Sequence, residues 1–191
     1  MYYSENDQFM LENRPIGINV LDFWKFAYSD LNSDPRDYLA EYLVSHALGI
    51  DEPYNKEDWT LFDILYEKIR VEVKSTGYYQ TWRKDGAISS QRNFSIRRAT
   101  DRNTGLCERQ NDIYVFCLLS GETREKANPL RMENWKFYVV PTSAINKNCG
   151  TNKTISLGRI KSMGFKAIPY QLLRGEIDKI MKEMKATPEY E

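Results

Sequence analysis

The stretch Ile113-Tyr114-Val115-Phe116-Cys117-Leu118-Leu119 is apolar or aromatic at every position. A strand with one face in water alternates polar and apolar side chains, because successive residues point to opposite sides of the sheet. An unbroken run is instead what a strand needs when both of its faces are covered. This segment therefore calls for a central sheet with a layer packed on each side. The rest of the chain must supply the neighbouring strands and the covering elements.

Candidates for both are present. Residues 59–66 and 69–75 read as two strands joined by the polar turn Glu67-Lys68, and 92–97 and 135–140 read as further strands. With 112–119 these make a mixed sheet of about five strands. Between residues 19 and 31, Val20, Phe23, Trp24, Ala27 and Leu31 recur at helical spacing and can share one buried face. A second helix is punctuated by Asp34 as a cap, Pro35 in its first turn and Gly49 at its end. Its expected buried stripe is Leu39, Tyr42, Leu43 and Leu48, with Glu41 near the edge. Residues 76–90 carry Gly77 and Gly86 and read as a loop. Pro141 opens a short helix over 142–146, and 170–184 reads as a closing amphipathic helix. There is no repeat, low-complexity tract or linker, so residues 1–191 are expected to form a single α/β domain flanked by helices.

Composition narrows the function classes. A chain of 191 residues can bury a core without staples. No apolar run approaches the roughly 20 residues that cross a bilayer, so no membrane partner is expected. The opening Met1-Tyr2-Tyr3-Ser4-Glu5-Asn6-Asp7 lacks the character of a signal peptide. Cys107, Cys117 and Cys149 are odd in number and widely spaced, as expected of reduced thiols in the cytoplasm. His46 is the single histidine, which excludes a metal site built on several imidazoles.

A net charge of zero conceals an asymmetry. Residues 1–68 hold 14 Asp/Glu against 5 Lys/Arg, a net of −9, and residues 69–191 hold 13 against 22, a net of +9. The segment 83–110 carries Arg83, Lys84, Arg92, Arg97, Arg98, Arg102 and Arg109 against Asp85, Asp101 and Glu108. Such a segment suits a phosphate backbone. It equally suits a mixed surface in which basic and acidic parts of one domain face each other.

The chemistry-bearing pattern is Asp63 followed by Glu72-Val73-Lys74. In a strand, Glu72 and Lys74 project to the same side and Val73 to the other. Two carboxylates and an ammonium on a strand otherwise made of Ile and Val are costly unless they pair or bind a metal. Magnesium is usually held by one or two carboxylates, with waters and substrate phosphate completing the shell. Asp63 and Glu72 can supply the carboxylates, with the Val73 carbonyl as a third oxygen and Lys74 in reach of an attacking water. The alternative is a same-face ion pair on an exposed edge strand, since Glu-x-Lys is a common tripeptide.

With Glu41 on the preceding helix, this order resembles the PD-(D/E)xK nuclease superfamily, the restriction endonuclease-like fold, in its bacterial or phage members. The likeness spans roughly residues 20–140. It runs from Leu21-Asp22-Phe23-Trp24, through Leu39-Ala40-Glu41-Tyr42-Leu43-Val44 and Ala47-Leu48-Gly49, to Trp59 and Asp63. Glu72-Val73-Lys74-Ser75 follows, then Gln80 and Trp82, and then Asp112-Ile113-Tyr114-Val115-Phe116. The resemblance implies an αβββαβ core and Mg²⁺-dependent hydrolysis of phosphodiester bonds, with Mn²⁺ as a substitute metal. Carried over by position, Asp63 and Glu72 would bind metal, Lys74 would position or activate water, and Glu41 would complete the pocket. Two departures stand out: Phe62 replaces the motif's proline, and Pro35-Arg36-Asp37-Tyr38 stands where an arginine-glycine pair is expected.

Around that centre, Ser75, Gln80, Arg83, Lys84, Arg92, Arg97 and Arg98 are the candidate nucleic-acid contacts, and Tyr78, Tyr79 and Trp82 are candidates for stacking on bases. Trp24, Trp59 and Trp135 read as core, Asp112 as the opener of its strand, and His46 as a surface or packing residue. The expected partner is nucleic acid, DNA first. A homodimer would suit cleavage of both strands of a duplex. A catalytically inactive binding module that keeps the fold is the other reading of the same residues.

Overall fold

The computed structural model describes residues 3–32, 35–50, 61–79, 92–102 and 104–186. The described chain begins with strands β1 (Gln8–Leu11) and β2 (Arg14–Asn19) and helices α1 (Val20–Ala27) and α2 (Pro35–Leu48). Strands β3 (Ile64–Tyr66), β4 (Ile69–Gly77), β5 (Asn93–Ser95), β6 (Ala99–Thr100), β7 (Cys107–Glu108) and β8 (Ile113–Leu119) follow. The last part holds β9 (Trp135–Pro141), α3 (Thr142–Cys149), β10 (Thr154–Ser156), α4 (Leu157–Ser162) and α5 (Leu173–Lys185).

Among the described residues the central sheet has four strands, in the order β3-β4-β8-β9. The β3–β4 and β8–β9 pairs are antiparallel and β4–β8 is parallel, so the sheet is mixed. Every residue of β8 is buried, as its unbroken apolar run requires. Its even-numbered residues pack with Phe94, Ile96, Tyr138, α3 and α4. Its odd-numbered residues join Val71, Val73, Trp135, Phe137, α2 and α5. Fully burying such an apolar side chain stabilises by about 1.5–3 kcal/mol, so these two clusters hold the layers together.

Local chemistry fixes the strand ends. Glu67 and Lys68 both have positive φ, 46° and 73°, the conformation of a type I′ turn that matches the twist of a two-residue hairpin. The register Tyr66↔Ile69 and Ile64↔Val71 follows from that turn. At the start of β8, Asp112 grips β4. Its carboxylate accepts from the Arg70 backbone N–H at 2.8 Å and from the Arg70 guanidinium at 3.1 and 2.8 Å. Asp112 is thus structural, as its position in the sequence suggests. Trp135 is wholly buried and its indole N–H donates to the Pro129 carbonyl at 2.9 Å.

Several expectations need correction. Among the described residues the central sheet has four strands, because β5 pairs with β10 in a ribbon of its own instead of joining the sheet. Residues 19–31 form a shorter helix that ends at Ala27, and none of its residues is buried. Trp24 is accordingly exposed and not core. On α2 the buried face is Ala40, Leu43, Val44 and Leu48, while Tyr42 points to solvent. β4 runs to Gly77, beyond the expected strand end, and α3 continues to Cys149. Of the expected first strand of the motif hairpin, residues 61–63 are not extended and β3 starts at Ile64, while 59 and 60 lie outside the described residues. The Asp34 cap, Trp59, Gln80, Trp82, Arg83 and Lys84 lie outside the described residues. Among the described residues, no helix is long and apolar enough to cross a membrane, and the three cysteines are free.

Candidate functional site

The β3–β4 hairpin brings Asp63, Glu72 and Lys74 together. Asp63 sits one residue before β3, where its N–H donates to the Val71 carbonyl at 3.0 Å. Its carboxylate accepts from the Val73 N–H at 2.8 Å, so the antiparallel register aims the side chain across β4. Glu72 and Lys74, two apart on β4, project away from the face on which Val71 and Val73 enter the core with α2. The Lys74 ammonium stands 2.5 Å from Glu72 Oε1 and 3.6 Å from Asp63 Oδ2. These side chains keep 15% (Asp63), 19% (Glu72) and 31% (Lys74) of their surface in solvent, so this is no exposed surface pair.

The electrostatics follow from that crowding. Burial raises the Glu72 carboxyl above the usual carboxylate range, and the charges of Asp63 and Glu41 push the same way, against the pull of Lys74. For Lys74 burial favours the neutral amine, but Glu72, Asp63 and Glu41 outweigh it and raise the group, which is held as an ammonium. Glu41, on half-buried ground on α2, therefore acts on both members of the pair. Beneath them, burial and the charges of Asp37, Asp63 and Glu41 push the Cys117 thiol well above its ordinary range, so it is an inert core residue.

The end of the motif strand is tied to α2 by residues to which the sequence assigned other parts. Arg36 is buried, and its Nε donates to Ser75 Oγ at 3.1 Å. The Ser75 hydroxyl in turn donates to the Asp37 carboxylate. The dipeptide Arg36-Asp37, noted as a departure from the expected arginine-glycine pair, is thus the device that fixes α2 to β4. Ser75 spends its proton on this link, which leaves it an acceptor role at most toward an outside group. Only the departure itself signalled these two residues, and nothing in their spacing revealed their partner.

The basic candidates divide. Arg92 is half-buried and its guanidinium lies 4.2 Å from the centre of the Tyr78 ring, so it covers the face proposed for stacking on bases. Arg97 and Arg98 are exposed. Arg109 is buried and donates to the carbonyls of Ile96, Gly150 and Asn152 and to the Asn146 side chain, at 2.7–3.0 Å. It is a structural staple, which removes it from any phosphate-binding surface. Tyr79 packs against the core cluster shared with α2. His46 is exposed and stacked on Tyr42, 6.1 Å between ring centres.

Among the described residues, no three His, Cys, Asp or Glu side chains form a ready metal cage. Magnesium asks for less, one or two carboxylates with water and phosphate. Asp63 and Glu72 are the two carboxylates that could supply it, since both stand within 3.6 Å of the Lys74 ammonium. The upward push of Asp63 on Glu72 is the repulsion that a shared divalent cation relieves. No protein-family model matches the chain, and no curated protein matches it in sequence.

Proposed function

We propose that this protein is a metal-dependent nuclease of restriction endonuclease-like fold that hydrolyses phosphodiester bonds, with DNA as its substrate. The carrying observation is the convergence of Asp63 and Glu72 on one ammonium, Lys74, on the partly desolvated side of a core strand. The sheet with two antiparallel steps around one parallel step, and α2 carrying Glu41 against it, supports the same reading.

In this reading Asp63, Glu72 and the Val73 carbonyl would hold Mg²⁺ or Mn²⁺. When bound, the cation supplies Lewis-acid stabilisation of charge on the phosphate oxygens. The hydrogen bond from the Val73 N–H keeps Asp63 aimed at the site without any reorganisation at the moment of reaction. Lys74, held as an ammonium by its three acidic neighbours, orients the attacking water and stabilises developing negative charge; it does not take the proton. Water oxygen bonds to phosphorus as the P–O bond to the leaving alkoxide breaks, and the proton lost by water ends on that alkoxide or in solvent. Glu41 adds negative charge that strengthens cation binding. Arg97 and Arg98, exposed, are the described side chains best placed to meet a phosphate backbone.

The reading is tested with plasmid and labelled oligonucleotides, incubated with wild type and Glu72→Gln in Mg²⁺, Mn²⁺ or chelator. Cutting by wild type that needs the metal, and its loss in Glu72→Gln, supports it. Absence of wild-type cutting on duplex, single-stranded and branched DNA overturns it in favour of a binding module.

A further inference from the structure

We propose that the N-terminal hairpin and helix form the homodimer interface, with β1 pairing against β1 of a second copy. None of the residues of β1, β2 or α1 is buried. Yet this segment is firmly shaped. Glu12 and Asn13 adopt the positive φ values of a tight hairpin turn, and Asn19 and Asp22 exchange hydrogen bonds in a capping box that starts α1. A two-stranded hairpin is marginal in water without further cover. The segment nonetheless presents Phe26 at 84%, Leu11 at 66% and Met10 at 56% exposure.

The area is that of an interface. Ten large apolar side chains between Phe9 and Tyr28 are exposed. Five of them are aromatic, and at roughly 150–250 Å² each, half-exposed, these alone offer on the order of 500 Å²; with Met10, Leu11, Ile16, Ile18 and Leu21 added, the surface approaches the roughly 800 Å² that each partner contributes to a standard interface. A monomer seldom leaves that much apolar surface in water.

The edges and the charges select the occupant. Between the pairs Gln8↔Asn19 and Met10↔Pro15, β1 spends one residue, Phe9, and β2 spends three, Ile16, Gly17 and Ile18. The irregularity therefore lies on β2, where Gly17 has a φ of +82° and Pro15 lacks an N–H. Bulges and proline blunt an edge against pairing. β1 has neither, and no charged residue interrupts Gln8-Phe9-Met10-Leu11. A second β1, antiparallel across a two-fold axis, joins the hairpins into four strands and closes the contact. Residues 8–28 hold Glu12 and Asp22 against Arg14 and Lys25, a net of zero. Copies of a neutral surface do not repel each other, whereas a nucleic acid or an anionic membrane would call for an excess of cations.

The proposal is independent of the catalytic reading, since a chain that cuts nothing would dimerise equally. It is tested by sedimentation equilibrium of the full chain and of Leu11→Lys and Phe26→Ser, each checked for unchanged far-UV circular dichroism. Wild type at about 10 µM should sediment at twice 22.5 kDa, and each variant should raise the dissociation constant by about 100-fold or more. The variant loss is read on whichever of the two substitutions keeps its fold. A wild type that stays at 22.5 kDa, a folded variant that dimerises as tightly as wild type, or open-ended growth with concentration would each overturn the proposal.

Discussion

Asp63 accepts a 2.8 Å hydrogen bond from the Val73 N–H through Oδ2, the same oxygen that stands 3.6 Å from Lys74 Nζ. One oxygen therefore serves both the backbone hydrogen bond and the ion pair of the motif strand. Asp63→Asn keeps the size of the side chain but removes its charge, and the amide oxygen can still accept from Val73. Metal-dependent cleavage should fall by about 10²–10³-fold, while the thermal midpoint moves by a few degrees at most. Activity and melting measured on one preparation check this; a collapse of the fold with proportional loss of activity would make Asp63 purely structural.

The hairpin that aligns the site carries strain. Glu67 and Lys68 hold φ values of 46° and 73°, which Asn and Gly adopt at less cost. Replacing the pair by Asn-Gly should raise stability by about 1 kcal/mol and leave cleavage unchanged. Denaturant midpoints with an unaltered slope would measure it. A lower midpoint would mean that the Glu67 or Lys68 side chain matters more than its backbone.

Arg70 and Asp112 clamp β4 to the start of β8 through three hydrogen bonds. Arg70 keeps 41% of its side-chain surface in solvent, so screening limits the pair. A double-mutant cycle with Arg70→Ala and Asp112→Ala should give a coupling of about 1 kcal/mol. Asp112→Ala alone should cost more, since it also strips the Arg70 N–H of its acceptor. Cleavage per folded molecule should be unchanged; a loss beyond the unfolded fraction would place Asp112 in the chemistry.

Alkaline pH should weaken the protein through Tyr114. Its phenol is pushed up to about 12 by burial and by the charge of Glu72, its neighbour across β4–β8. The unfolded chain releases this proton near pH 10. The contribution is therefore complete below pH 10 and disappears as pH rises through about 12. The loss is on the order of 2 kcal/mol. Unfolding curves between pH 8 and 11.5 should fall less steeply for Tyr114→Phe than for wild type. Parallel curves would show that other groups carry the alkaline loss.

How legible all this was depended on what each element had to satisfy. β8 was plain, because only a strand covered on both sides tolerates seven apolar residues in a row. The Glu67-Lys68 turn was plain too, and with it the placing of Asp63 opposite Glu72 and Val73. The buried face of α2 was not. Tyr38, Leu39, Tyr42, Leu43 and Val44 surround that helix, and the sheet selects the small Ala40 and Val44, which let it approach closely. β5 was found as a strand but counted into the central sheet, since Phe94 and Ile96 fit any sheet with one covered face, and the partner Thr154–Ser156 is distant in sequence. The role of Arg36-Asp37 was hidden for the same reason: Ser75 lies 39 residues beyond Arg36 and only the fold joins them. On α1 the apolar spacing was real, but the surface that would cover it is not within the described chain.

The central claim is that Lys74 and its two carboxylates cut a phosphodiester. The most direct measurement is single-turnover cleavage of duplex DNA in Mg²⁺ by wild type and Lys74→Ala, both shown to be folded. Wild type should cut, and the variant should be slower by about 10³-fold or more while still gaining thermal stability from Mn²⁺, since Asp63 and Glu72 then lack their ammonium. Equal cutting by the two proteins would contradict the assignment.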